Sequence, residues 1–265
     1  MLTICNDGHE IAFDERGQGQ AVMFLHGFPH DRSLWAQQLD GLSGQAHCIA
    51  PDLRGFGGSG RGGPFSMDRY ADDVVCLMDH LEVRRAVVVG VSMGGYVALA
   101  LWRRHPTRIR ALILCDTRAG SDDEAGRERR RQQIKLANEV GPRAVAAQVM
   151  EGMVGRTTRE RSPEVVVELE RLLDRAPLEG VVGALQAMID RPDSTPDLAT
   201  IDVPTLVISG AEDVLIPPRE ARALHEAIQG SSLEILEHAG HVPNVERPAA
   251  FNHVVGEFLS RLQLD

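Results

Sequence analysis

Gly90-Val91-Ser92-Met93-Gly94 follows the apolar run Ala86 to Val89 and opens a segment of helical period that runs to His105. Glycines two places before and two places after a serine let the chain turn tightly enough to push that one side chain into the open above a sheet. Ser92 then stands at a helix N-terminus, where the free N–H of Met93 points toward a developing oxyanion. The chemistry this permits is nucleophilic attack on a carbonyl carbon. A serine hydroxyl is a weak nucleophile, however, and needs a base together with an acid that orients the base.

Two later loops offer those groups in the order acid, then histidine. Gly210-Ala211-Glu212-Asp213 follows the strand-like run Thr205 to Ser209, and His238-Ala239-Gly240-His241 follows the run Leu233 to Leu236. Among the ten histidines, His238 continues its strand, whereas His241 lies past Gly240 in the loop, better placed to reach back over the sheet. Asp116, which also ends a predicted strand, is the alternative acid.

The elements that must carry these loops alternate between strand and helix. Strands are predicted at Leu2 to Asn6, Glu10 to Arg16, Val22 to His26, Ala46 to Ala50, Ala86 to Val91, Ile109 to Cys115, Thr205 to Ser209 and Leu233 to Leu236. The first two form a hairpin through Asn6-Asp7-Gly8, and the later, continuously apolar runs suit parallel strands covered on both faces. Helices fit at Ser33 to Leu42, Met67 to Leu81, Met93 to His105, Arg219 to Ile228 and Ala249 to Leu262. Between Arg118 and Pro196 strand-like runs vanish, and helices are expected near Arg143 to Met153, Pro163 to Asp174 and Leu178 to Asp190. Residues 1–117 and 197–265 thus form an α/β core, and 118–196 a helical cap over the carboxyl ends of the strands.

Composition removes other classes. With 28 basic and 38 acidic residues the net charge is −10, so a nucleic-acid partner is not expected. No apolar run reaches spanning length and the first residues lack a signal-peptide pattern, so a cytoplasmic protein with no membrane partner is expected. Cys5, Cys48, Cys76 and Cys115 are far apart among apolar neighbours and read as buried thiols rather than disulfides or a zinc site. Lys135 is the only lysine, which leaves Schiff-base and P-loop chemistry almost nothing to work with. Gly55-Phe56-Gly57-Gly58-Ser59-Gly60 has the spacing of a dinucleotide fingerprint but begins late after its strand and opens no helix, so it reads as a loop.

The chain resembles the α/β-hydrolase superfamily over nearly its whole length, in the branch of small lidded serine esterases and lactonases. Four motifs carry the resemblance: His26-Gly27-Phe28-Pro29, Asp52-Leu53-Arg54-Gly55-Phe56-Gly57-Gly58-Ser59, the turn at Ser92, and Gly240-His241. It implies a mostly parallel eight-stranded sheet with helices on both faces and a helical lid inserted after the sixth strand. It also implies a triad of Ser92, Asp213 and His241, with the N–H groups of Phe28 and Met93 as the oxyanion hole. Asp213 is preferred to Asp116 because it matches the family's commoner position for the acid. No cofactor or metal is implied. The expected partner is a small-molecule ester or lactone, and overall similarity is nearest to enol-lactone hydrolases of aromatic catabolism; acyl-homoserine lactones are a further substrate class. Arg118 or Arg143 is a candidate to pair with a substrate carboxylate, and Met150, Met153, Val154 and Leu185 are candidates to line an acyl pocket. Some relatives of this type are receptors with little turnover, which is the alternative of a different class.

Overall fold

In strand β5 (Ala86–Val91) alternate side chains enter opposite halves of the protein, which is the geometric reason the run is apolar throughout. In this computed structural model, which describes residues 2–4 and 8–262, Val87 and Val89 pack with Trp35, Leu39 and Phe251 on one face. Val88 packs with Tyr70, Leu77 and Leu101 on the other. The core is therefore two layers of apolar side chains separated by one sheet.

The chain enters as strands β1 (Leu2–Ile4), β2 (Glu10–Arg16) and β3 (Ala21–Leu25), then helix α1 (Ala36–Leu42), strand β4 (His47–Pro51) and helix α2 (Met67–His80). The predicted turn Asn6-Asp7-Gly8 and Cys5 fall largely outside the described residues. Ser66 caps α2, its Oγ accepting the Arg69 N–H at 3.0 Å. After β5 come helix α3 (Met93–Arg104) and strand β6 (Ile109–Cys115). Five helices then follow without a strand: α4 (Glu124–Glu139), α5 (Pro142–Met153), α6 (Arg156–Arg161), α7 (Pro163–Leu173) and α8 (Leu178–Asp190). Strand β7 (Thr205–Gly210), helix α9 (Pro218–Ala227), strand β8 (Ser232–Leu236) and helices α10 (Pro243–Glu246) and α11 (Pro248–Arg261) complete the chain.

The sheet has eight strands in the order β1-β2-β4-β3-β5-β6-β7-β8. β2 pairs antiparallel with β1 and β4, and every later pairing is parallel. The carboxyl ends of β3, β5, β6, β7 and β8 consequently gather on one edge, which is where ligand-binding loops of such sheets lie. No helix among the described residues is long and apolar enough to cross a membrane.

Two expectations need correction. Cys48 and Cys115 are free and buried, but Cys76 is disulfide-bonded and only half-buried, so it is not a reduced core thiol. No helix is expected from the sequence between Arg118 and Arg143, yet α4 occupies Glu124–Glu139. Only Gly126 and Ala137 of that helix are buried, so it has almost no apolar stripe to betray it.

Candidate active site

Ser92 sits between β5 and α3 with φ 55° and ψ −115°, a left-handed backbone that a non-glycine residue adopts only when its surroundings enforce it. The enforcement is visible. Its N–H donates to the Cys115 carbonyl at 2.9 Å, and its carbonyl accepts the Thr117 hydroxyl at 2.8 Å. A Cβ on Gly94 would lie 2.1 Å from the Leu25 carbonyl oxygen, and one on Gly90 would lie 2.3 Å from that of Gly94. Both glycines are thus required by close backbone approach, as the turn predicted.

The loop after β3 is held against its neighbour by two buried side chains. His26 Nε2 accepts the Leu53 N–H at 2.9 Å, and Asp52 accepts the N–H groups of Arg32 and Gly58, each at 2.7 Å. Burial pushes the His26 imidazole below its ordinary pKa, which keeps it neutral and able to accept. The loop thereby presents Phe28, whose N–H, like that of Met93, is taken by no other group among the described residues.

His241 and Asp213 come together from loops after β8 and β7. His241 Nδ1 lies 2.7 Å from Asp213 Oδ2, and both are buried. The Asp213 Oδ1 accepts the N–H groups of Leu215 and Ile216 at 2.8 and 3.0 Å, which fixes the carboxylate plane. The other histidine considered, His238, is exposed in the turn after β8 with φ 62°. Glu246, overlooked in the sequence, anchors the histidine loop: its carboxylate accepts the N–H groups of Gly240 at 2.8 Å and Gly155 at 2.9 Å. Burial is the largest influence on Glu246 and raises its pKa despite those donors. The His241 N–H in turn donates to the Met153 carbonyl at 2.8 Å.

Asp116 lies next to this pair. Its Oδ1 accepts the Gly210 N–H at 2.8 Å, while Oδ2 is buried without a well-aligned partner. Burial, and then the negative charge of Asp213, push its carboxyl well above the ordinary range. Ligand atoms of Asp116, Asp213 and His241 lie within 4.8 Å of one another, but His241 Nδ1 is engaged by Asp213, so the trio reads as a hydrogen-bonded system and not as a cation cage.

Ser92, His241 and Phe28 line one cavity of about 210 Å³. Its remaining wall is less apolar than anticipated. Of the four apolar candidates none lines it; Val149 and Met188 do instead, one helical turn or less from two of those proposed. Arg118 is in the wall, whereas Arg143 is exposed and pairs with Asp174 at 2.8 Å outside it. Arg129 and Arg130 also reach the cavity, because α4 is a helix and places them on its cavity side.

An eight-stranded, mostly parallel sheet carrying a left-handed serine turn after β5 is an α/β-hydrolase arrangement. Residues 20–248 match the alpha/beta hydrolase fold family, and the chain belongs to it. Among curated relatives, 3-oxoadipate enol-lactonase 2 of Acinetobacter baylyi is 33% identical over 91% of this chain and 89% of its own. A malate-bound thermophilic esterase from Thermogutta terrifontis superposes with a TM-score of 0.96 at 36% identity, over 100% of both chains. The enol-lactonase from Burkholderia xenovorans LB400 superposes with a TM-score of 0.91 at 32% identity, over 98% of this chain and 100% of that one.

Proposed function

We propose that this protein is a serine hydrolase that cleaves carboxylic esters or lactones through Ser92, His241 and Asp213. The observation that carries the proposal is the 2.7 Å contact of Asp213 Oδ2 with the Nδ1 of His241, which lines one cavity together with Ser92 on its left-handed turn. Similarity to an enol-lactonase and an esterase over almost the full length supports the same class.

In this mechanism His241 Nε2 takes the Ser92 proton as Oγ attacks the carbonyl carbon. Asp213, held by two backbone donors, keeps the proton on Nδ1 and stabilises the imidazolium that forms. The N–H groups of Met93 and Phe28 receive the oxyanion; neither needs to break a bond to do so, which is what makes them preorganised donors. The imidazolium then protonates the leaving alkoxide, and the C–O bond breaks to give the Ser92 acyl-enzyme. A water deprotonated by His241 attacks that ester, and collapse of the second tetrahedral intermediate returns the proton to Ser92 and releases the acid. Residues 118–196 act as the cap that closes the site, a role supported by the cavity lining that α4, α5 and α8 supply.

The test is a matched panel of short p-nitrophenyl esters, enol-lactones and acyl-homoserine lactones, with wild type and Ser92→Ala. The expected result is turnover that Ser92→Ala abolishes, and the ratio of kcat/KM between esters and lactones separates a general esterase from a specialised lactonase. Stoichiometric binding without turnover would overturn the proposal in favour of a receptor.

A further inference from the structure

The cavity containing Ser92 and His241 is walled by Arg118, Arg129 and Arg130 against a single acidic side chain, Asp122. Since the whole chain carries −10, this excess of cations is a local construction and not a consequence of composition. Asp122 is buried and cannot neutralise it. Its Oδ1 accepts from Arg118 Nη2 and, at 3.0 Å, from Arg191 Nη2, while its Oδ2 accepts from Arg130 Nε. Burial would raise this carboxyl, but the hydrogen bonds of Arg191 and Arg130 outweigh it and hold the group well below the usual carboxylate range. Three guanidinium groups therefore share one carboxylate, which leaves two positive charges in excess.

The roles of the arginines differ. Arg191 is fixed away from the reaction: it stacks on Tyr96 at 4.2 Å from the ring centroid and donates to the carbonyls of Met188 at 2.8 Å and Gly120 at 2.9 Å. Arg118 keeps a buried Nε with no hydrogen-bond partner. Arg129 lines the cavity and forms no ion pair among the described residues. The field of Glu220 also reaches Arg118, but Glu220 already lies 3.4 Å from the Arg219 guanidinium. Arg118 shares Asp122 with two other guanidinium groups and Arg129 has no carboxylate partner among the described residues, so an arriving anion gains charge-assisted hydrogen bonds from both.

We infer that the substrate is an ester or lactone bearing a free carboxylate, which Arg118 and Arg129 receive while the reacting carbonyl lies at Ser92. This deepens the hydrolase reading and rests on it. The guanidinium fork matches a planar carboxylate in two bonds, and a volume of about 210 Å³ suits a short acyl chain with one such group. The anionic end serves as the address and the carbonyl as the reacting centre.

The test compares monomethyl adipate with methyl hexanoate, which share a chain length and differ in the terminal carboxylate. Wild type is expected to favour the anionic ester in kcat/KM by about tenfold or more, and Arg118→Gln and Arg129→Gln to reduce that ratio about tenfold each. Arg143→Gln, on the exposed surface, leaves the ratio unchanged. Raising ionic strength from about 0.05 M to about 0.5 M shrinks the wild-type ratio, since screening weakens the half-exposed Arg118 and the exposed Arg129. A wild-type ratio near one, or an Arg129→Gln ratio equal to wild type, overturns the inference. Should Arg118→Gln lose its cooperative thermal transition because Asp122 has lost a partner, Arg129→Gln decides alone. Hydrolysis of methyl hexanoate that depends on Ser92 preserves the serine-hydrolase reading even where the anion preference fails.

Discussion

Asp116→Asn separates the two carboxyls that crowd His241. Two full charges no more than 4.8 Å apart repel by at least about 3 kcal/mol at an effective dielectric near 20, and burial adds to the cost of ionising Asp116. Its folded-state pKa is therefore raised, so above about pH 4 the folded chain retains a proton that the unfolded chain releases. Stability contributed relative to a neutral side chain then falls as pH rises from about 4 toward the folded pKa, by up to about 1.4 kcal/mol per pH unit. Asparagine keeps an oxygen for the Gly210 N–H, supplies an amide donor toward Asp213 and never ionises. Urea unfolding at several pH values is expected to show Asp116→Asn gaining on wild type as pH increases, with kcat/KM within about threefold of wild type. Asp213→Asn is expected to lose about 10⁴-fold in kcat, because the imidazole then adopts the wrong tautomer. If Asp116→Asn instead loses activity as severely as Asp213→Asn, or its stability advantage shrinks with rising pH, Asp116 is the orienting acid and the assignment is wrong.

Other perturbations follow from the same geometry. Gly94→Ala places a methyl 2.1 Å from the Leu25 carbonyl; an overpacking loss of about 1–3 kcal/mol is expected in chemical denaturation, with activity falling alongside. Glu246→Ala leaves the Gly155 and Gly240 N–H groups buried and unpaired, so kcat should fall and unfolding free energy drop by about 1–3 kcal/mol, measured by kinetics and urea titration. His30 is buried, and burial pushes its pKa down to about 3. Because the unfolded imidazole protonates first, stability is lost as pH falls from about 6.5 toward 3, by up to about 1.4 kcal/mol per unit, and His30→Gln should flatten that part of the pH–stability curve.

The inner strands were legible in the sequence because burial on both faces writes itself as largely apolar runs, and β3 to β7 lie within two residues of their predicted bounds; the edge strand β8, with Glu234 exposed, also falls within two. Ser92, Asp213 and His241 could be put forward as candidate site residues for a related reason, since each stands in a loop that follows such a run. α4 was not, because a helix that buries only a glycine and an alanine leaves no periodic apolar trace. Missing that helix hid Arg129 and Arg130, whose place in the cavity depends on α4 being helical. Glu246 was hidden differently: a carboxylate that satisfies backbone N–H groups of two distant segments has no signature in local spacing, only in the assembled fold.

The clamp around His241 bears on how such enzymes can be rebuilt. The histidine's own N–H is bonded to the end of α5, and Glu246 ties the Gly155 backbone to the loop carrying the histidine. A Cβ on Gly240 would lie 2.3 Å from the Gly155 nitrogen, so the two main chains touch. A helical segment borrowed from another family member is thus not an interchangeable module: it brings or removes half of the support beneath His241. Chimeras that trade residues 118–196 should alter substrate range and the pH dependence of turnover together, unless residues 153–155 of this chain are kept as the seam.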